Sequence, residues 1–182
     1  MKRAVFLDRD GVINRATVRD GKPYPPASID DFELLPGADN AMRALREAGF
    51  LVIVATNQPD VGSGLQRKDI VEAMHNRLLA ADLCDDIRVC YHTAEDRCEC
   101  RKPKPGMLID AARAWNIDLT RSFLIGDRWR DVDAAKAVGC YAFFIDYGYR
   151  EHLRAQPDAV IESLAHASEH ILQCLSAKED TK

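Results

Sequence analysis

The feature that most constrains the fold is an alternation of short apolar runs with segments of helical spacing along the 182-residue chain. Runs rich in β-branched and aromatic residues predict strands at Ala4–Leu7, Leu51–Ala55, Arg88–Tyr91, Phe123–Ile125 and Tyr141–Ile145. Helical spacing recurs in Gly37–Ala48, Arg67–Ala81, Gly106–Trp115, Val132–Val138 and Ser163–Leu175. Because strands that are apolar throughout are typical of parallel sheets covered on both faces, the pattern predicts an α/β fold with a doubly wound, mostly parallel sheet.

Length, charge and hydropathy limit the class of protein. A chain of this length suits one domain over residues 1–182 and leaves no stretch large enough for a cap domain. The net charge of −4 without a basic stripe gives no electrostatic footprint for nucleic acid. The longest apolar runs, Phe50–Ala55 and Cys140–Ile145, are far shorter than the ~20 residues that span a bilayer. With no secretory leader after Met1, we expect a cytoplasmic protein with no nucleic-acid or membrane partner.

Two carboxylates, Asp8 and Asp10, follow the first predicted strand. Side chains at positions i and i+2 of an extended chain share a face, so both acids should point into one pocket. Close carboxylates repel unless a cation or a proton lies between them. The pair therefore indicates a divalent metal site or a division of roles between an ionised and a protonated acid. Taken alone, a pair of solvated acids in a turn is the alternative.

Three further polar segments follow or flank later predicted strands. Thr56 and Asn57 offer a hydroxyl and backbone donors that suit phosphate oxygens, although ordinary turns use the same residues. The basic segment Arg101–Gly106 precedes a helix and would meet phosphoryl charge, unless it is a solvated turn. Gly126–Asp131 adds two acids at a strand-to-helix turn, where a helix cap is the alternative. In a doubly wound sheet such strand ends are where ligands bind.

A compact group of metal-binding residue types precedes the basic segment. Cys90, His92, Cys98 and Cys100 bring three thiolates and one imidazole within eleven residues, a set that matches a tetrahedral structural zinc site. A closed four-ligand site leaves no position for substrate, so the ion would order the loop 90–100 through its binding energy. Unrelated cysteines and a loop histidine are the alternative. Cys84, Cys140 and Cys174 lie in apolar segments and are expected to be small buried residues, and His75 is expected to have no chemical role.

The ordered occurrence of Asp8-Arg9-Asp10-Gly11, Thr56, Lys102 before a helix, and Gly126-Asp127 with Asp131 resembles the haloacid dehalogenase superfamily of phosphatases. The resemblance covers roughly residues 3–145. It implies a Rossmann-like fold and a reaction through an aspartyl-phosphate. In that reaction Asp8 is the nucleophile, and Asp10 is the general acid that later activates water.

The same resemblance implies the remaining site residues. Thr56 and the backbone of Asn57 would bind the phosphoryl group, and Lys102 would neutralise its charge, with Lys104 as the fallback lysine. Mg²⁺ would be held by Asp8, the backbone carbonyl of Asp10 and Asp127, with Asp131 reached through water.

The motifs Cys-x-His, Cys-x-Cys-Arg-Lys-Pro, Asp-Arg-Asp-Gly and Thr-Asn-Gln narrow the resemblance. They are similar to those of a capless zinc-loop subgroup that contains heptose 1,7-bisphosphate 7-phosphatases and histidinol-phosphate phosphatases. The subgroup implies a monomer with Mg²⁺ and Zn²⁺ that removes the 7-phosphate of D-glycero-D-manno-heptose 1,7-bisphosphate in heptose biosynthesis for lipopolysaccharide or capsule. It also implies that Arg101 and Arg128 contact the distal part of the substrate. Departures that bear on substrate choice are a short loop after His92, Arg128 where Lys is common, and Pro59-Asp60-Val61 in place of Ser-Gly-Ile.

Three alternative functions stay open at this point. The first is hydrolysis of histidinol phosphate or another small sugar phosphate. The second is a signalling module that accepts a phosphoryl group on Asp8 without turnover, against which Asp10 argues, since a receiver needs no general acid. The third is a zinc-dependent interaction protein, against which the intact catalytic motifs argue.

Overall fold

A six-stranded parallel sheet forms the centre of the computed structural model, which describes residues 1–179; the last three residues of the predicted domain lie outside the described ones. The described chain has eight strands, six of which form this sheet. They are β1 (Ala4–Leu7), β2 (Thr17–Arg19), β3 (Lys22–Tyr24), β4 (Leu51–Asn57), β5 (Asp86–Cys90), β6 (Phe123–Gly126), β7 (Tyr141–Ile145) and β8 (Ala159–Ile161). The sheet order is β5-β4-β1-β6-β7-β8, and all its neighbours pair in parallel. The short strands β2 and β3 form a separate antiparallel hairpin.

Helices cover both faces of the sheet, because successive residues of each strand point to opposite faces. They are α1 (Ala38–Glu47), α2 (Pro59–Gly62), α3 (Lys68–Ala80), α4 (Gly106–Trp115), α5 (Trp129–Ala137) and α6 (Leu164–Glu179), with a 3₁₀ turn at Leu119–Arg121. Val5 and Leu7 of β1 belong to the apolar core that α1, α3 and α6 cover, whereas Phe6 packs in a second core under α4 and α5. Within residues 1–179 no helix has the length and apolarity that crossing a membrane requires.

The predicted doubly wound α/β fold is confirmed, and the differences lie in short or polar segments. The hairpin and β8 are missed by sequence reasoning, since each strand has only three residues. Helix α5 begins at Trp129 rather than Val132, because Arg130 and Asp131 in its first turn interrupt the apolar spacing that marks a helix. Cys174 is exposed, so its predicted burial is wrong; it lies outside the apolar stripe of α6.

Neighbouring strands bring the predicted site residues to one edge of the sheet. Leu7 pairs with Val54 of β4 and with Ile125 of β6, so the residues that follow these strands meet at their carboxyl ends. Two glycines permit the close approach. Gly11 has a φ of 86°, and a Cβ there would lie 2.0 Å from Oδ2 of Asp127. A Cβ on Gly126 would lie 2.2 Å from Cβ of Asp131.

Candidate active site

A cavity of about 180 Å³ lies at the carboxyl edge of β1, β4 and β6. Its wall consists of Asp8, Asp10, Asn57, Lys102, Asp127, Arg128, Arg130 and Asp131, together with Pro23, Tyr24 and Pro25 of the hairpin and its end, and Pro59 and Asp60 of α2. Most of the residues that the sequence predicts for the site therefore share one cavity.

Asp8 and Lys102 form a buried ion pair in this cavity. Nζ of Lys102 lies 3.0 Å from Oδ1 of Asp8 and 2.5 Å from Oδ1 of Asp131. Burial raises the pKa of Asp8 to about 6; the ammonium of Lys102 opposes the rise, and the charges of Asp131 and Asp10 add to it. Burial also works against the charge of Lys102, but the two carboxylates outweigh it and raise the pKa of that lysine. The lysine is therefore a fixed cation beside Asp8.

Asp127 and Asp131 form a cluster with Asp8, in which the three ligand oxygens lie within 4.8 Å of one another. Burial raises the pKa of Asp127 well above its ordinary value, and the charges of Asp8 and Asp131 raise it further. Oδ2 of Asp127 accepts a hydrogen bond from the Tyr149 hydroxyl at 3.0 Å. Oδ1 is buried and has no hydrogen-bond partner among the described residues. Since such an orphan carboxylate oxygen is costly and Mg²⁺ prefers oxygen ligands, the cluster fits a divalent cation.

Asp10 is held by a polar network that comes from three segments. Its Oδ1 accepts from Arg9 at 3.2 and 3.0 Å and from Asn14 at 2.9 Å, and its Oδ2 accepts from Gln58 at 2.8 Å. Arg9 is fully buried, and its Nη1 lies 3.1 Å from Nε2 of His75. Because a guanidinium has no acceptor, that imidazole nitrogen must be the acceptor. Burial lowers the pKa of His75 to about 4, and the charge of Arg9 lowers it as well, whereas Asp10 raises it.

Thr56 and Asn57 have different surroundings. Thr56 is buried, and its Oγ1 accepts a hydrogen bond from Gln58 at 2.9 Å. Asn57 lines the cavity. Its amide donates to the carbonyl of Lys102 at 3.0 Å and its Oδ1 accepts from the Lys102 backbone N–H at 3.1 Å. The Asn57 side chain thus fixes the backbone that carries the lysine, a positioning contact that the sequence did not indicate.

The predicted substrate-binding arginines are already engaged. Arg128 lines the cavity and makes a two-pronged ion pair with Glu151, in which its Nε donates to Oε2 at 2.7 Å and its Nη2 contacts Oε1. Nη1 of Arg101 donates to the backbone carbonyl of His92 at 3.1 Å, and the described residues that line the cavity do not include Arg101. Lys104 binds Glu99 at 2.7 Å, outside the cavity wall.

The Cys/His group forms a second possible metal site. Neighbouring ligand atoms are 3.3 to 3.7 Å apart: the Sγ atoms of Cys90 and Cys98 are 3.7 Å apart, and Nδ1 of His92 is 3.3 Å from Sγ of Cys100. A tetrahedral ion with sulfur ligands at ~2.3 Å has ligand–ligand edges of roughly 3.8 Å. The four atoms therefore have the spacing of a closed tetrahedral site.

Several site residues escape sequence reasoning. Arg9 and Gln58 lie inside the Asp-Arg-Asp-Gly and Thr-Asn-Gln motifs, so their proximity to the acids is a usable signal. Arg130 lies in the segment Gly126–Asp131, but the motif in that segment is defined by its two acids and does not single out the arginine. His75 and Tyr149 give no local signal, because their partners are 66 and 22 residues away.

Comparisons with known proteins find phosphatases that are similar to this chain. A HAD-hydrolase-like family model matches residues 99–167. The D-glycero-beta-D-manno-heptose-1,7-bisphosphate 7-phosphatase of Rhodopseudomonas palustris is 40% identical over 152 residues, which cover 77% of this chain and 81% of that protein. The enzyme of the same name from Bordetella bronchiseptica is 35% identical over 181 residues, covering 94% and 98%. The D-glycero-alpha-D-manno-heptose-1,7-bisphosphate 7-phosphatase of Mycobacterium tuberculosis is 40% identical over 144 residues, covering 76% and 74%.

Solved structures give the same result. The D,D-heptose 1.7-bisphosphate phosphatase of B. bronchiseptica, complexed with magnesium and phosphate, superposes with a TM-score of 0.81 at 34% identity, covering 95% of this chain and 99% of that one. The D,D-heptose 1,7-bisphosphate phosphatase of Burkholderia thailandensis gives a TM-score of 0.64 at 26% identity, covering 94% and 99%.

Proposed function

The chain belongs to the D-glycero-D-manno-heptose-1,7-bisphosphate 7-phosphatases of the haloacid dehalogenase superfamily, and from this membership we propose that it hydrolyses the 7-phosphate of that heptose bisphosphate. One observation carries the proposal at the site: Asp8 lies beside the buried ammonium of Lys102 and within a cluster of three carboxylates, in a cavity that Arg128 and Arg130 also line. This arrangement offers a nucleophile, fixed positive charge for a phosphoryl group, and recognition for further negative charge.

Asp8 is the nucleophile in this proposal. Its Oδ1 is occupied by the Arg9 backbone N–H at 2.8 Å and by Lys102, which leaves Oδ2 to attack phosphorus. A bond forms between Oδ2 and phosphorus while the bond from phosphorus to the sugar oxygen breaks, and Asp10 gives its proton to that oxygen. Water then attacks phosphorus, Asp10 takes the water proton, and the acyl-phosphate bond breaks to release phosphate. Lys102 stays beside the reacting oxygens through both steps.

The orientation of Asp10 depends on its network. Arg9, Asn14 and Gln58 contact both carboxylate oxygens, so the side chain has little freedom to turn away from the cavity. The Gln58 amide also donates a hydrogen bond to Oγ1 of Thr56, which holds Gln58 in place. The backbone of Asn57 is proposed to donate to the phosphoryl oxygens. The residues thus keep the proton donor in place for both steps.

Two metal ions complete the proposal. Asp8, Asp127 and the backbone carbonyl of Asp10 would hold Mg²⁺, with Asp131 in the same cluster; bound there, Mg²⁺ supplies charge neutralisation for the phosphoryl group. Cys90, His92, Cys98 and Cys100 would hold Zn²⁺. Their loop ends directly before Arg101 and Lys102, so the zinc would fix the segment that carries the lysine.

Steady-state kinetics with Mg²⁺ on heptose 1,7-bisphosphate, fructose 1,6-bisphosphate and histidinol phosphate test the proposal. We expect the highest kcat/KM for the heptose bisphosphate, and a preference for histidinol phosphate would refute it. Asp8→Asn should abolish phosphate release. Asp10→Asn should slow both steps strongly, and unchanged phosphate release in that variant would exclude Asp10 as the acid. We further propose that the 1–182 chain acts as a monomeric single domain in the cytoplasm; light scattering of the purified protein tests the monomer.

A further inference from the structure

Three arginines, Arg101, Arg128 and Arg130, lie close enough together for their charges to interact, and they differ in how much hydrogen-bonding capacity they have left. Arg128 faces Glu151 with both prongs of its guanidinium. Arg101 donates to a backbone carbonyl, away from the residues that line the cavity in the described chain. Arg130 does line the cavity. The two arginines that the sequence motifs single out are therefore the two already committed within the protein.

Arg130 lacks such a partner. Its Nε is buried and has no hydrogen-bond partner in the described part of the chain. Its Nη2 lies 3.8 Å from Oε1 of Glu151, beyond hydrogen-bond distance. The guanidinium lies 5.5 Å from the ring centre of Trp129, whose ring Arg154 also contacts at 3.7 Å. The side chain is 28% exposed, so it is supported on one side and open on another.

The local charge also favours an anion. The guanidinium charges of Arg128 and Arg101 act on Arg130, and the carboxylates of Glu151 and Asp131 oppose them. Glu151 is already the two-pronged partner of Arg128, and Asp131 pairs with Lys102 at 2.5 Å, so both carboxylates have another cation as their main partner. An anion with several oxygens, bound at the open side of the Arg130 guanidinium, would supply the missing negative charge.

We propose that Arg130 is a specificity-determining residue that binds the second, non-transferred phosphate of a bisphosphate substrate through its cavity-facing guanidinium. The inference rests on the proposed function, because it assumes that the phosphate to be transferred sits at Asp8. Arg128, held by Glu151, then borders the second phosphate without having to break its own ion pair. Preference for two phosphates over one thus depends on Arg130 more than on the arginine two positions earlier.

A matched substrate pair tests this role. Heptose 1,7-bisphosphate and heptose 7-phosphate differ only in the distal phosphate, and kcat/KM is measured for both with wild type and Arg130→Gln. Because a hydrogen bond to a charged group is worth a factor of roughly ten to a hundred, we expect the ratio of the two kcat/KM values to fall by about that factor. The change should appear as a higher KM for the bisphosphate.

Further variants separate recognition from folding. Arg130→Lys keeps the charge but lacks the Nε donor and the fork, so its ratio should fall between those of wild type and Arg130→Gln. Arg113→Gln, at a side chain that is 79% exposed, should keep the wild-type ratio. An equal loss on both substrates, or an unchanged ratio in both Arg130 variants, would overturn the inference.

Failure of the proposed function shows in a different measurement. If wild type does not favour the heptose bisphosphate, that function fails, and the same ratio is then measured with fructose 1,6-bisphosphate and fructose 6-phosphate. A fall of that ratio in Arg130→Gln supports the role of Arg130 for bisphosphates in general, and an unchanged ratio overturns it.

Discussion

The buried pair of Arg9 and His75 makes a prediction about how stability depends on pH. His75 is 5% exposed, and its Nε2 accepts from a guanidinium that is fully buried. The imidazole is therefore held neutral, with its pKa lowered from 6.5 to about 4. In the unfolded chain the same histidine takes up its proton near pH 6.5. The folded state thus binds fewer protons than the unfolded state between these two values, so stability rises with pH there and falls as pH falls.

The size of the effect follows from the two pKa values. One pKa unit corresponds to ~1.4 kcal/mol, so protonation of His75 in the unfolded chain should lower the free energy of unfolding by about 2 kcal/mol at pH 5 relative to pH 8, and by about 3 kcal/mol at pH 4. The variant His75→Gln keeps an acceptor near Arg9 but cannot be protonated. At pH 8 it should be less stable than wild type by about 1 to 2 kcal/mol, since it loses packing and hydrogen-bond geometry. The two stability curves should therefore meet between about pH 5 and about pH 6.

Urea denaturation of wild type and His75→Gln between pH 5 and pH 8 measures this difference. The exposed His166 provides the control, because His166→Gln should run parallel to wild type over the whole range. Parallel curves for wild type and His75→Gln would show that His75 is not held neutral, and would refute the assignment of its Nε2 as the acceptor from Arg9.

Three other changes have defined outcomes. Lys102→Met leaves the buried carboxylates of Asp8 and Asp131 without their cation. It should lower the free energy of unfolding at pH 8, measured by urea denaturation, by about 3 to 5 kcal/mol. Gly11→Ala places a Cβ 2.0 Å from Oδ2 of Asp127 and should weaken Mg²⁺ binding by about tenfold or more in calorimetry, because it displaces a carboxylate of the cation cluster. Cys98→Ser should reduce the zinc content of the purified protein, measured by elemental analysis, and lower its Tm, because one ligand of a closed site is lost.

Each change has a matched control. Lys104→Met removes a lysine that is paired only at the surface with Glu99 and should leave stability within about 1 kcal/mol of wild type. Gly49→Ala bears a similar positive φ of 83° with nothing within 4 Å of the new Cβ, so it should cost stability without weakening Mg²⁺ binding. Cys174→Ser should keep the zinc content. If a control variant shows the same change as the variant it is matched with, the contact removed in that variant is not the cause of the change.

Much of the fold follows from the sequence because the buried strands and their crossover helices repeat a simple apolar pattern. The strands Ala4–Leu7 and Tyr141–Ile145 have the predicted boundaries. The first turn of α5 and the three-residue strands carry no such pattern, so their formation depends on contacts with distant segments. Asp158, the residue directly before β8, illustrates this, since its backbone N–H donates to the carbonyl of Ala142 in β7.

The candidate site is predictable where its residues lie in short motifs, and less so where a side chain reaches across the fold. The sequence places Asp8, Lys102 and Asp127 together because each ends or follows a neighbouring strand. It does not reveal that Arg128 is neutralised by Glu151, because that partner lies 23 residues later in an irregular segment. Charge pairing of this kind depends on tertiary geometry, which is why an arginine chosen from a motif is not always the one left free for a ligand.

The β2–β3 hairpin has a consequence for how such a phosphatase changes over time. The hairpin and its end contribute Pro23, Tyr24 and Pro25 to the cavity wall, yet its strands pair only with each other in the described chain. The acids and the lysine that transfer the phosphoryl group are carried by other segments, anchored in the central sheet. Insertions, deletions or exchange of residues 17–24 can therefore reshape what enters the cavity while the chemistry is inherited intact. In a fold without a cap domain, this small exposed ribbon is where new substrate preferences can arise at little cost to folding.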